Sequence, residues 1–142
     1  MPLDRHNPTL LLVEDSEDDA FFFKRTLKKS GVTCELHHVI NGAEAIEFLQ
    51  NAASGEPEKL PYAIFLDLKM PVLNGFEFLE WKRTQNFSSN IHVIVLSGSD
   101  YAPDIERAAG LGASDYLVKP LKVEDLYRYL RDICPPEIGA RV

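Results

Sequence analysis

Short apolar runs alternate with helical patterns along the whole chain. Five runs have the length and turn-rich borders of strands: TLLLV from Thr9, CELHHV from Cys34, YAIFL from Tyr62, IHVIVL from Ile91 and DYLV from Asp115. The segments between them carry the signals of helices. Regular alternation of strand and helix predicts a parallel sheet with helices on both faces.

The character of each run predicts its place in the sheet. The first, third and fourth runs are continuously apolar, as expected of strands that are covered on both faces. Apolar and polar residues alternate in CELHHV, and DYLV is short, so these two runs are expected to be the edge strands of the sheet. The strand order 2-1-3-4-5 puts them outside, which is the flavodoxin-like arrangement: a doubly wound α/β fold of five parallel strands and five helices.

End signals delimit the helices. Ser16 and the three acids after it open the first helix, and Lys28, Lys29 and Gly31 close it. The others are expected over about 43–52, over about 76–83, from near 103, and over about 123–133, where Pro135 and Pro136 follow. SGEPEKLP is expected to be a surface loop before the third strand.

Size and charge narrow the class of function. A chain of 142 residues, 45% hydrophobic and 26% charged, suits one domain over 9–134 between tails at 1–8 and 135–142. The net charge of −7 argues against direct nucleic-acid binding. No apolar run approaches a membrane span, and MPLDRHNP lacks the charged and apolar regions of a signal peptide, so we expect a cytoplasmic protein.

Cysteine and histidine are not expected to carry the chemistry. Cys34 and Cys134 lie far apart without a CxxC pattern, and the histidines lack the spacing of metal ligands. We assign no role to the two cysteines or to the four histidines, which are His6, His37, His38 and His92.

Polar side chains gather where the predicted strands end. An open parallel sheet binds ligands beyond the carboxyl ends of its strands, near the reversal of strand order, which is here between the first and third strands. The first strand leads to Glu14 and Asp15, the third to Asp67, the fourth to Ser97 and the fifth to Lys119. We therefore expect three carboxylates, a hydroxyl and a lysine in one cleft.

These side chains favour phosphoryl chemistry. Three neighbouring carboxylates repel one another, so the cluster requires an opposing charge, most simply Mg²⁺. Such a cation keeps positions open for a phosphoryl oxygen, and Lys119 and Ser97 supply further donors. Because no cysteine or histidine lies at these strand ends, the nucleophile is a carboxylate, and its product is an aspartyl phosphate. Asp67 is central and is the predicted nucleophile.

In combination, the motifs VEDS, FLDLKMPVLNG, VIVLSGS and DYLVKP resemble the receiver domain of bacterial two-component response regulators. The resemblance covers nearly the whole chain. It implies the following roles: Glu14 and Asp15 as metal-site acids, Asp67 as phosphoacceptor, the backbone carbonyl of Lys69 as a metal ligand, Ser97 and Tyr116 as switch residues, and Lys119 as the catalytic lysine before a cis proline, Pro120. Ser97 stands where threonine is commoner in the family, and Gly98 where alanine is common.

The same resemblance implies a signalling function. A sensor histidine kinase would donate the phosphoryl group, the chain would promote its own phosphorylation and dephosphorylation, and the output would be binding to a downstream protein. The segment NAASGEPEKLP, together with the expectation of a receiver without an output domain, resembles the small regulators paired with bacterial phytochromes. A homodimer through the outer face of the last two strand-helix units is also expected, with Tyr127, Tyr129 and Leu130 on the last helix.

Phe21 and Phe22 are expected outside the core. Together with Phe23 they cover an arc of about 200° around the helix axis, about twice the width of the apolar stripe that would face the core. They are either scattered surface aromatics or a docking patch for the kinase beside the active site, and we predict the second.

Other functions remain open at this point. A phosphorylation-independent interaction domain would share the fold, although such domains usually lose the acids kept here. A phosphatase of the haloacid dehalogenase type also uses a strand-end aspartate and Mg²⁺, but it needs a second acid two residues on, where Lys69 stands. A flavodoxin needs a phosphate-binding loop after the first strand, and EDSEDD has the wrong charge.

Overall fold

The computed structural model describes residues 8–88 and 90–133. Strands and helices alternate within these ranges: β1 (Thr9–Val13), α1 (Glu17–Ser30), β2 (Glu35–Val39), α2 (Gly42–Gly55), β3 (Ala63–Asp67), α3 (Gly75–Lys82), β4 (His92–Ser97), α4 (Ala102–Gly110), β5 (Asp115–Val118) and α5 (Val123–Ile133). The expected tails, apart from Pro8, lie outside the described residues together with His6, Cys134, Pro135 and Pro136.

All five strands run parallel in the order β2-β1-β3-β4-β5, which confirms the predicted flavodoxin-like winding. The three apolar strands lie in the middle, and β1 is buried along its whole length because helices cover both faces. The edge strands β2 and β5 are half-buried or exposed. No helix in the described ranges is long and apolar enough to cross a membrane.

Two apolar clusters flank the sheet. One contains Phe23 and Leu126 and lies beneath α1 and α5, and the other contains Leu49 and Phe78 and lies beneath α2, α3 and α4. The strand register brings the polar strand ends to one edge, because Val13 pairs with Leu66, Asp67 with Leu96, and Ser97 with Val118. This register positions the candidate site.

The second helix is longer than the sequence predicted. It continues through the helix-forming segment before Gly55, so the predicted loop loses its first two residues. The rest of the predicted surface loop contains a short 3-10 turn, Pro57–Lys59, with no buried residue. Asn41 caps the start of α2, since its side chain accepts a hydrogen bond from the backbone N–H of Glu44 at 2.9 Å.

The last helix offers less apolar surface to a partner than expected. Leu130 is fully buried in the cluster around Phe23, and Tyr127 and Tyr129 are partly buried against the same cluster. The placement of Leu130 on an outer face was therefore wrong. The physical reason is that α5 packs against α1 as well as the sheet, which covers more of its circumference.

Candidate functional site

Three acids meet at the carboxyl edge of β1 and β3. Glu14, Asp15 and Asp67 each offer one carboxylate oxygen, and these three atoms lie within 4.8 Å of one another. Glu14 is only 2% exposed, Asp67 is half-buried and Asp15 is exposed. The gathering of carboxylates expected from the strand ends is therefore present.

Two glycines fix the loop that follows Asp67. The backbone N–H of Gly75 donates to the carbonyl of Leu68, and that of Gly42 to the carbonyl of Leu73, both at 2.9 Å. A Cβ at Gly75 would lie 2.6 Å from the carbonyl oxygen of Asp67, and one at Gly42 would lie 2.7 Å from that of Leu73. No side chain fits at such distances, so these close approaches require glycine and define the path of the loop.

Within this loop, Val72 adopts an unfavourable backbone conformation. Its φ is 69°, and the N–H of Leu73 donates to the carbonyl of Pro71 at 2.7 Å across a three-residue turn. A β-branched residue is rare in the left-handed region, at a cost of about 1–2 kcal/mol. Its side chain is 79% exposed, so packing offsets little of that cost. The turn lies beside Lys69 and Met70, in the segment from which a backbone metal ligand was predicted.

Two carboxylates hold Lys119, and neither belongs to Asp67. Its Nζ donates to Glu14 Oε1 and to Asp19 Oδ2, each at 2.8 Å, but it lies 3.9 Å from Asp67 Oδ1. The Lys119–Pro120 peptide bond is cis, as the resemblance implies. Burial, the largest single effect, lowers the pKa of Lys119, but the hydrogen bonds to Asp19 and Glu14 and the charges of Asp67 and Glu14 together outweigh it, so the pKa is raised. The ammonium group therefore stays charged.

The phosphoacceptor candidate has a perturbed pKa. Burial, followed by the nearby Glu14 charge, raises the pKa of Asp67 to about 7, against the opposing effects of Lys119 and a backbone hydrogen bond from Lys69. A cation among the three carboxylates would favour the ionised form. The donors fit a hard divalent ion, because all are oxygens and one of them, on Glu14, is buried.

Ser97 and Tyr116 both contact the backbone of Ser99. The buried Ser97 hydroxyl accepts a hydrogen bond from the N–H of Ser99 at 3.1 Å, and the Tyr116 hydroxyl donates to the Ser99 carbonyl at 2.9 Å. The carbonyl of Ser97 also accepts from the N–H of Lys119 at 2.7 Å. Tyr116 therefore links the loop after β4 to β5, while Ser97 holds the same loop and bonds to the residue that follows β5, and the sequence did not reveal these contacts.

The two predicted docking phenylalanines lie outside the core. Phe21 is 66% exposed and Phe22 is 43% exposed, whereas Phe23 is 3% exposed. Phe22 lines a cavity of about 380 Å³ that also reaches Asp19 and Lys119. Aromatic surface thus borders the acidic site.

Sequence reasoning missed two contacts of the site. Asp19 was interpreted only as one of the acids that open α1, yet it binds Lys119. His38 was assigned no chemistry, but its Nε2 lies 2.8 Å from the backbone carbonyl of Glu14 and must donate to it, since a carbonyl only accepts. His38 of β2 pairs with Leu12 of β1, close to the end of that strand, and this register brings the histidine ring to the Glu14 carbonyl.

Comparisons with known sequences identify the family of the chain. The model of the family described as the response regulator receiver domain matches residues 10–131. The probable methanogenesis regulatory protein FilR2 of Methanothrix harundinacea is 34% identical over 125 residues, which are 87% of this chain and 79% of that protein. Response regulator Rcp1 of Synechocystis sp. is 33% identical over 132 residues, 92% of this chain and 90% of that protein.

Solved structures are also similar. The crystal structure of the Mn²⁺-bound form of Rcp1 has a TM-score of 0.71 at 32% identity, over 89% of this chain and 91% of that chain. The structure of the phosphorylated cyanobacterial phytochrome response regulator RcpA has a TM-score of 0.74 at 29% identity, over 91% of each chain.

Proposed function

Because the chain belongs to the response regulator receiver domain family, we propose that it is a signalling switch that accepts a phosphoryl group on Asp67 from a histidine kinase. One observation carries the choice of residue: Asp67 shares a 4.8 Å cluster with Glu14 and Asp15 and has the Lys119 ammonium 3.9 Å away. Receiver domains are signalling modules, and we propose that this one promotes its own phosphorylation and dephosphorylation.

In the proposed reaction, a carboxylate oxygen of Asp67 attacks the phosphorus of a phosphohistidine. The P–N bond breaks, and its electron pair leaves with the imidazole ring, which takes up a proton. The Lys119 ammonium stabilises the charge on the phosphoryl oxygens. Ser97 has a hydroxyl proton to donate as well, since its oxygen is an acceptor in the bond with Ser99.

Receiver domains bind a divalent metal at an acidic pocket, and we propose Mg²⁺ for this one. Glu14, Asp15 and Asp67 would hold it, with the backbone carbonyl of Lys69 as a further ligand. When bound, the ion neutralises negative charge on the carboxylates and the phosphoryl group. The all-oxygen donor set supports a hard cation, and the related Rcp1 structure is described as Mn²⁺-bound.

We propose that the output is phosphorylation-controlled protein binding. A phosphoryl group on Asp67 attracts Ser97 and Lys119, and their contacts with Ser99 and β5 carry the movement to Tyr116. The kinase partner would be a bacterial phytochrome, a proposal supported by the likeness to phytochrome response regulators. A downstream protein target, and self-association through the surface formed by α4, β5 and α5, complete the proposal.

Incubation with acetyl phosphate and Mg²⁺, followed by intact-mass measurement, tests this function. We expect one added phosphoryl group that is labile in base, and no addition to Asp67→Asn, because an amide is a far poorer nucleophile. An unlabelled parent protein would favour a phosphorylation-independent interaction domain. Labelling of Asp67→Asn would overturn the choice of residue, and rapid turnover of diverse phosphate esters would favour a phosphatase.

A further inference from the structure

We propose that Asp19 is a positioning residue that competes with the phosphoryl group for Lys119. This rests on the proposed function, because it concerns what Lys119 does once Asp67 is phosphorylated. Lys119 Nζ bonds to Asp19 and Glu14 at 2.8 Å each, whereas its 3.9 Å separation from Asp67 Oδ1 is too long for a hydrogen bond.

The position of Asp19 limits how far its carboxylate can follow the lysine. Asp19 lies in the first turn of α1, where its backbone N–H donates to the Ser16 hydroxyl at 3.2 Å. A movement of Nζ towards Asp67 therefore lengthens at least one of the bonds that Lys119 now makes. The ammonium group has three donors, so the competition is one of position: Nζ lies 2.8 Å from Asp19 Oδ2 and 3.9 Å from Asp67 Oδ1, and approach to a phosphoryl group on Asp67 draws it away from Asp19.

Solvent exposure decides which carboxylate releases Lys119. The Asp19 side chain is 47% exposed and the Glu14 side chain is 2% exposed. Water can replace the lysine at Asp19, but Glu14 without the lysine would be a buried charge that had lost a partner. Lys119 thus retains Glu14 and exchanges Asp19 for a phosphoryl oxygen.

This exchange has a measurable consequence. Asp19 stabilises the unphosphorylated form, so its removal strengthens the binding of beryllofluoride, an acyl-phosphate mimic, and speeds phosphorylation by acetyl phosphate. The affinity for beryllofluoride and the rate of phosphorylation should each rise roughly two- to fivefold, which corresponds to the free energy of a half-exposed ion pair.

A matched pair of variants tests the proposal. Asp19→Ala and Asp18→Ala remove the same charge from the same helical turn, but Asp18 is exposed and has no ion pair in the described part of the chain. Calorimetric titration with beryllofluoride at saturating Mg²⁺ should show a gain of roughly two- to fivefold for Asp19→Ala and a change below about 1.5-fold for Asp18→Ala. Asp19→Glu, which restores a carboxylate, should return the affinity towards that of the parent.

Two results of this titration would overturn the proposal. Equal gains in the two alanine variants would mean a general charge effect. Weaker binding by Asp19→Ala would mean that Asp19 prepares Lys119 for the phosphoryl group instead of withholding it.

A double-mutant cycle identifies the route of the effect. In a Lys119→Met background, Asp19→Ala should change the affinity by less than about 1.5-fold, because the competing ammonium is gone. A gain of the full size in that background would overturn the proposal. If the parent is neither labelled by acetyl phosphate nor bound by beryllofluoride, the proposed function itself fails; if the parent binds and Asp19→Ala matches it, only the role of Asp19 fails.

Discussion

The hydroxyl of Tyr116 donates a 2.9 Å hydrogen bond to the backbone carbonyl of Ser99 and so joins β5 to the loop after β4. Removal of this bond should lower the free energy of unfolding. We expect Tyr116→Phe to cost about 0.5–1.5 kcal/mol in urea unfolding. Tyr62→Phe, at an exposed tyrosine, is the matched control and should stay within about 0.5 kcal/mol of the parent. An unchanged free energy of unfolding in Tyr116→Phe would mean that this bond contributes nothing to the stability of the unphosphorylated protein.

The raised pKa of Asp67 predicts an unusual pH dependence in the absence of metal. The folded pKa of about 7 exceeds the unfolded value of about 3.9, so the folded form binds the proton more tightly. Stability in EDTA should therefore fall as pH rises from about 4 to about 7. Asp67→Asn removes that dependence and should be more stable than the parent by about 1–3 kcal/mol at pH 8, with almost no difference at pH 4.

Urea unfolding in EDTA at several pH values measures this difference. Asp100→Asn, which neutralises an exposed acid, is the control and should leave the pH profile unchanged. A lower stability of Asp67→Asn at every pH would show that the carboxylate is a structural hydrogen-bond acceptor that the fold requires.

Mg²⁺ should stabilise the folded chain. A cation that binds only the folded form at ten times its dissociation constant adds about 1.4 kcal/mol, which is several degrees of melting temperature. Asp15→Asn and Asp67→Asn each remove a ligand of the proposed site, so both should respond weakly to Mg²⁺. Thermal unfolding with Na⁺ at matched ionic strength should show no such gain. A full Mg²⁺ response in either variant would place the metal elsewhere.

Phe21 should act in docking and not in folding. With a side chain that is 66% exposed, Phe21→Ala should slow phosphotransfer from the kinase but leave acetyl phosphate labelling and melting temperature nearly unchanged. Phe23→Ala is the contrasting variant, because Phe23 is buried with its ring 4.9 Å from that of Phe65, and its loss should cost about 3–5 kcal/mol. A fall of several degrees in the melting temperature of Phe21→Ala would contradict this assignment.

The fold could largely be predicted from the sequence, because continuous apolar runs of strand length, bounded by turn residues, indicate strands covered on both faces. The acids were also predictable, since parallel strands end at the same edge of a sheet and the predicted strand order places β1 beside β3, which brings Asp15 to Asp67. The contact between Asp19 and Lys119 was not predictable in this way. It joins residues 100 positions apart, and it depends on side-chain direction and on the placement of α1. Leu130 was misplaced for a similar reason, since its burial depends on packing between two helices.

The left-handed backbone at Val72 offers a place where thermal stability can be raised without altering the residues that carry the signalling chemistry. Asparagine tolerates this conformation better than valine, so Val72→Asn should raise the free energy of unfolding by about 1 kcal/mol, or roughly 3–5 °C in a thermal scan. A lower melting temperature would show that the exposed valine makes contacts that offset the cost of its backbone conformation. The substitution leaves every acid of the site in place, so a thermostable form of this switch need not sacrifice the chemistry at Asp67.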